Sequence, residues 1–268
     1  VNLKALLFGL GLALVLADQT PCAQQSEADD KRLAELHAKA ETGDAKAQYE
    51  LGKCYDFGQG VKKDETEAVK WFRKAADQND ARAQYNLGRC YYFGQGVAKD
   101  EAEGVRWLRK AAEQNDAHAQ YTLAICYYDG NGVAKDEAEA AKWFRKAADQ
   151  NDARAQYNLG FCYANGQGVT KNLAEAVKWY RKAAEQNHDM AQYGLGACYL
   201  KGHGVTKDEV EAVKWITLAA WQGDEEAKAA IPQIKNIVEG RQIAEGTLRA
   251  KDWLEKWKRL STPSGSEP

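Results

Sequence analysis

The chain has 268 residues, 44% apolar and 28% charged, a balance that is ordinary for a folded protein and excludes collagen-like and disordered classes. Lys and Arg total 37 against 39 Asp and Glu, a net charge of −2, which argues against a general nucleic-acid or membrane coat. No Ser lies between Glu27 and Leu260 and no Pro between Cys22 and Ile231, so a serine-nucleophile hydrolase has no candidate nucleophile in the body of the chain.

Residues 1–17 differ from the rest. Lys4 precedes an uninterrupted apolar run, Ala5 to Ala17. That run is short for a membrane span of about 20 residues and reads as a secretory signal peptide. Val15 and Ala17 suit the positions before a cleavage site, so cleavage after Ala17 is expected, with cleavage after Ala23 as the alternative. Cys22 follows Gln19-Thr20-Pro21, which lacks the aliphatic and small residues of a lipidation site. Residues 18–28 read as a linker and 29–43 as a lone capping helix. The mature chain is expected in a bacterial periplasm or outside the cell, with no further membrane span.

From Asp44 the chain repeats itself, and internal repeats decide architecture before anything else. Cys falls at 54, 90, 126, 162 and 198, and Trp at 71, 107, 143, 179 and 215, both in steps of 36. The copies are 44–79, 80–115, 116–151, 152–187 and 188–223. In the first, Ala47, Leu51, Cys54 and Tyr55 form a helical stripe. Gly58 and Gly60 stop that helix and allow positive φ. Asp64 with Glu67 then caps a second helix, which buries Val69, Phe72 and Ala76. Asn79 suits a left-handed residue after its last turn.

The pattern A-x-x-x-L-G-x-x-Y-x-x-G-x-G-V followed by A-x-x-W-x-x-K-A-A resembles the Sel-one-like repeat, a relative of the tetratricopeptide repeat. The resemblance covers about two-thirds of the chain. It implies an all-α fold, a right-handed α-solenoid of stacked helical hairpins, and adaptor roles in envelope processes, signalling or host contact. The last copy departs from the others: Thr217, Leu218 and Trp221 replace Arg73, Lys74 and Asp77. That apolar face should be covered by Asp224–Val238 through Ile231, Ile234 and Ile237, within C-terminal capping helices over 224–260. A second cap helix over Arg241–Leu260 carries Trp253 and Trp257, and 261–268 is a polar tail expected to be disordered.

The five copies also serve as an internal comparison. Core positions must recur, because each copy meets the same neighbours. The variable positions of the first helix, 46, 50, 53 and 57 in copy one, form one stripe expected to line a concave groove. One row runs Lys46, Arg82, His118, Arg154, Met190; a second Glu50, Asn86, Thr122, Asn158, Gly194; a third Lys53, Arg89, Ile125, Phe161, Ala197. The N-terminal part reads as charged and the C-terminal part as apolar. A protein or peptide segment is the expected partner, basic residues meeting acidic groups and Ile125 and Phe161 anchoring apolar side chains; a solvated face that has drifted is the alternative.

The remaining motifs read as structural. Equivalent helices of stacked layers lie about 8–10 Å apart, too far for a disulfide, whose Cα atoms lie within about 7 Å. The repeat cysteines are therefore expected to be buried free thiols. Gln48, Gln84, Gln120, Gln156 and Gln192 recur at one place and are expected to bond between layers. The recurrent Lys70, Arg73 and Lys74 read as a solvated face. His37, His118, His188 and His203 show no metal-ligand spacing, and no cofactor, metal or nucleic-acid partner is expected; the chain reads as a monomer. Some cysteine-rich relatives are described as penicillin-binding β-lactamases with two cysteines per repeat. This sequence has one, placed elsewhere, with Ala75 and Ala76 near the end of the second helix. The expectation is a non-catalytic scaffold, with a hydrolase of β-lactams or cell-wall peptides as the alternative.

Overall fold

The structure, a computed structural model, describes residues 20–261. Residues 1–17, read as a signal peptide, and 262–268 of the expected polar tail lie outside the described residues. The described residues form thirteen helices and no strand. Helix α1 (Thr20–Glu41) comes first. Five hairpins follow: α2 (Ala45–Phe57) with α3 (Glu65–Asp77), α4 (Ala81–Phe93) with α5 (Glu101–Glu113), α6 (Ala117–Asp129) with α7 (Glu137–Asp149), α8 (Ala153–Asn165) with α9 (Leu173–Glu185), and α10 (Asp189–Lys201) with α11 (Glu209–Gln222). Helices α12 (Glu225–Ile237) and α13 (Gly240–Ser261) complete the chain. The fold class is all-α, an α-solenoid of helical hairpins. Helix α1 corrects one expectation: it starts at Thr20, so most of the segment read as a linker is helical. The chain divides into two compact units, one ending at Ala111 and one starting at Ala112, so the division falls inside α5.

Caps set the helix ends. The Asp44 carboxylate accepts the Ala47 N–H at 2.8 Å, and Asp64 accepts the Glu67 N–H at 3.0 Å. Each satisfies a donor that the helix start leaves open. Gly58 at φ 69° ends α2, its N–H returning to the Cys54 carbonyl. After four of the second helices the left-handed residue is Asn79, Asn115, Asn151 or Asn187, as their sequence positions predict. The second glycine of the turn has a further reason. A Cβ on Gly96 would overlap the Glu65 carbonyl, and one on Gly168 the Glu137 carbonyl. The turn presses on the first residue of the preceding repeat's second helix, and only glycine permits that approach.

Packing is local. In the first unit Phe72, Ala75, Ala83, Leu87 and Trp107 share one buried cluster. A Cβ on Gly52 would lie 2.6 Å from the Phe72 ring, which is why the two helices of that hairpin meet so closely. Full burial of a side chain such as Phe72 contributes about 1.5–3 kcal/mol. The charges read as a solvated face need correction. Lys74, Lys110, Lys146 and Lys182 lie over the rings of Trp71, Trp107, Trp143 and Trp179, 3.7 to 4.2 Å from the centroids. Arg73 and Arg145 donate to the hydroxyls of Tyr91 and Tyr163, and Arg181 to that of Tyr199 at 2.6 Å. The alkyl stems cover aromatic surface while the charges tie one repeat to the next.

The cap also differs from expectation. Val213, Ile216 and Ala219 pack with Ala227, Ile234 and Val238 of the α12 segment. Leu218 instead packs with Ala250, Trp253 and Leu254 of α13. Ile231 is half-buried, and Ile237 faces solvent. The reason is that two helices share the outer face of α11, so α12 needs only one edge of its apolar stripe.

Candidate functional site

The variable stripe of the first helices can be followed in each unit by itself. In the first unit Lys46 and Glu50 border a cleft of about 730 Å³ between α1 and α2, together with Arg32, Glu35, Lys39 and Cys54. Lys53 pairs with Glu50 at 3.1 Å. Arg82 pairs with the cap residue Asp80 at 2.9 Å and lies 4.4 Å from the Tyr49 ring centroid. Asn86 donates its amide to the Arg82 carbonyl at 3.1 Å. Arg89 lies over Tyr85.

The second unit repeats this arrangement. Arg154 pairs with Asp152 at 2.6 Å and covers Tyr121 at 4.4 Å. It also donates toward His118 Nδ1 at 3.2 Å. Burial alone would raise the Asp152 carboxyl, but hydrogen bonds from Arg154 and the Ala155 N–H hold it below the usual carboxylate value. Thr122 donates to the His118 carbonyl at 2.8 Å, and Asn158 to the Arg154 carbonyl at 3.0 Å. Ile125 is half-buried, while Phe161 and Met190 are 37% and 51% exposed.

Two conclusions follow. Much of the polar chemistry expected to read a partner is already spent inside the repeats, on caps, aromatic faces and the carbonyl one turn back. The expected passage from a charged to an apolar stripe also fails, because Phe57 and Phe93 are 63% and 56% exposed. Both end first helices of the first unit, at the fourth position of the stripe. The sequence carries the signal at position 57 of the stripe, whose row runs Phe57, Phe93, Asp129, Asn165, Lys201.

The recurrent Gln side chains bond between helices as their recurrence predicts. Each donates to a carbonyl of the preceding segment: Gln48 to Ala40 at 3.0 Å, Gln120 to Ala112 at 3.0 Å, Gln192 to Ala184 at 3.2 Å. The five repeat cysteines are free. Cys90, Cys126 and Cys162 are buried, whereas Cys54 and Cys198 are half-buried, a partial correction. Burial pushes the Cys90 thiol up to about 12 and the Cys162 thiol to about 11, so neither is poised as a thiolate nucleophile. Among the described residues no group of three or more His, Cys, Asp or Glu is placed to hold a metal, and no helix is long and apolar enough to cross a membrane.

Comparison with known proteins gives consistent relatives. A family model described as the Sel1 repeat matches residues 45–80, 81–116, 117–152, 153–188 and 189–224. The crystal structure of a Sel1 repeat protein from Oxalobacter formigenes is 32% identical, with a TM-score of 0.73 over 91% of this chain and 96% of that one. A protective antigen of uropathogenic Escherichia coli, c5321, is 33% identical with a TM-score of 0.52, over 85% of this chain and 56% of that one. The secretory immunoglobulin A-binding protein EsiB of Escherichia coli is 54% identical over 43 residues, 16% of this chain and 9% of that protein's length.

Proposed function

This chain belongs to the Sel1 repeat family, and we propose that it is an exported scaffold that binds a protein or peptide segment through the exposed stripe of first helices within a unit. Sel1 repeat proteins are generally protein-interaction scaffolds without catalysis. One observation carries the assignment of the face. In the first unit the exposed large apolar side chains, Phe57 and Phe93, both lie on the variable stripe, and in the second unit, taken by itself, those of α8 and α10, Phe161 and Met190, do as well. The second helices of the first four repeats leave none exposed. Exposed apolar side chains scattered singly need no explanation, but confinement to the same stripe within each unit does. In the first unit the cleft at Lys46 and Glu50 adds mixed charge to that face. A partner offering apolar anchors flanked by polar groups fits this chemistry. Relatives support the reading: EsiB is described as binding secretory immunoglobulin A. Export rests on the charged and apolar pattern of residues 1–17.

The test is selection of peptides from a random display library against the purified repeats. Selected peptides should lose about tenfold or more in affinity to Phe57→Ala with Phe93→Ala, the scale of a lost apolar anchor. They should bind unchanged to Lys70→Ala on the second-helix face. Equal binding to all three proteins overturns the assignment. For export, a periplasmic or secreted product whose N-terminus is Asp18 or Gln24 supports the proposal, and a cytosolic product retaining residues 1–17 overturns it.

A further inference from the structure

A second pocket lies in the C-terminal cap, away from the first-helix face. It is an apolar recess of about 340 Å³ between α11, α12 and α13, at the small end of the range of small-molecule sites. Its walls are Val213, Ala220, Ile231, Ile234 and Ile243, with Trp221 beside them. A cap that served only to close the solenoid would fill this space. Trp221 instead stays 50% exposed.

Two features point to a ligand. The first is Thr217, which stands where earlier copies carry Arg73, Arg109, Arg145 and Arg181. Its side chain is 7% exposed and lines the recess. Its hydroxyl makes no hydrogen bond among the described residues and stays accessible from the recess, free to meet a polar atom there. The second is charge. Lys228 and Lys235 also line the recess, and no carboxylate does. Lys228 is paired with the exposed Glu225 at 2.7 Å, whereas Lys235 has no ion-pair partner among the described residues. The two lysines lie seven positions apart in α12, on one face of the helix.

We propose that this recess binds an aliphatic carboxylate: a medium-length hydrocarbon chain against the isoleucines and Trp221, its anionic head met by Lys235 and Lys228. The Thr217 hydroxyl supplies a polar contact inside the recess. Charge complementarity decides the class. A neutral or cationic chain would leave Lys235 without a partner, while a carboxylate accepts a charge-assisted bond from Lys235 and a second from Lys228 beside its Glu225 contact.

The test titrates the full protein with decanoate below its micelle-forming concentration, by calorimetry, with decanol and decyltrimethylammonium alongside. Decanoate should bind with a stoichiometry of one, about tenfold or more tighter than either analogue, the scale of one charge-assisted contact. Lys235→Glu should weaken decanoate about tenfold or more and leave decanol unchanged. Ala220→Phe, which plugs the recess, should abolish binding; an unchanged far-ultraviolet spectrum and melting temperature confirm that the plugged protein is folded. Absence of saturable binding overturns the proposal, as do equal affinities for the three chains or binding that survives the plug. Concentration-dependent self-association that Ala220→Phe removes would show the recess covered by a second copy, and would also overturn it. These readouts leave Phe57 and Phe93 untouched, so they stand apart from the peptide selection.

Discussion

Gln186 donates its side-chain amide to the Gln156 carbonyl oxygen at 2.8 Å, thirty residues back in the chain. Gln156 in turn donates to the Ala148 carbonyl at 3.2 Å and to Asn151 Oδ1 at 3.1 Å. The same link joins Gln78 to Gln48, Gln150 to Gln120 and Gln222 to Gln192. A fully buried amide therefore has both ends satisfied and ties the end of one second helix to the next repeat.

Gln156→Leu should be among the costlier single changes in the second unit. It leaves a buried carbonyl and an amide without partners, a loss of about 2–4 kcal/mol. Urea unfolding should show a lower midpoint; a midpoint within error of the parent would refute the role of this network.

The two turn glycines should respond differently. Gly166 at φ 77° has a Cβ site 3.3 Å from Lys171, so Gly166→Ala costs mainly the left-handed backbone, about 1–2 kcal/mol. Gly168→Ala adds a clash with the Glu137 carbonyl and should cost about 1 kcal/mol more or separate the layers. Paired urea curves check the order, and equal losses would contradict the close approach.

Thiol reactivity should follow burial. With its pKa raised to about 12, Cys90 presents only about one thiolate in ten thousand at pH 8. Brief alkylation of native protein followed by peptide mass spectrometry should label Cys54 and Cys198 first, and Cys90 and Cys162 only after denaturation. Uniform labelling of native protein would be incompatible with this packing.

The last repeat should be acid-sensitive. His188 replaces the capping Asp of earlier copies, and its Nδ1 accepts the Ala191 N–H at 3.3 Å, which requires the neutral ring. The ring stacks on Tyr157. Burial lowers its pKa, opposed by Asp189 and Asp152 and reinforced by Arg154. The unfolded chain therefore takes up the proton first. Stability is full above the unfolded value near 6.5 and falls as pH drops from there toward the lower folded value. His188→Asp should flatten that slope relative to the parent between about pH 7 and 5. Identical slopes in melting temperature against pH would exclude His188 as the source.

Exposure separates binding from folding. Phe57→Ala should change stability by less than about 0.5 kcal/mol. Phe72→Ala, at a fully buried ring, should cost about 3–5 kcal/mol. Thermal melts decide; comparable losses would place Phe57 in the core.

The repeat, its period, the hairpins and the left-handed Asn and Gly positions were legible in the sequence. They rest on spacing and on local backbone preference, which act over a few residues and recur in five copies. The Gln network was half legible: recurrence marked Gln48 and its counterparts, but the amides that donate to them lie thirty residues further along the chain. Other features needed the tertiary structure. Lys74 and Arg73 looked like solvated charges because a charge pattern says nothing of the Trp71 ring beneath one or the Tyr91 hydroxyl beyond the other. Arg82 and Arg154 looked free to meet a partner until the folded caps placed Asp80 and Asp152 beside them. Thr217 and Trp221 read as an apolar face to be covered, yet how α11, α12 and α13 meet over it decides whether a recess remains. Sequence spacing determines which face a side chain occupies; what stands across from that face is settled only when distant segments pack.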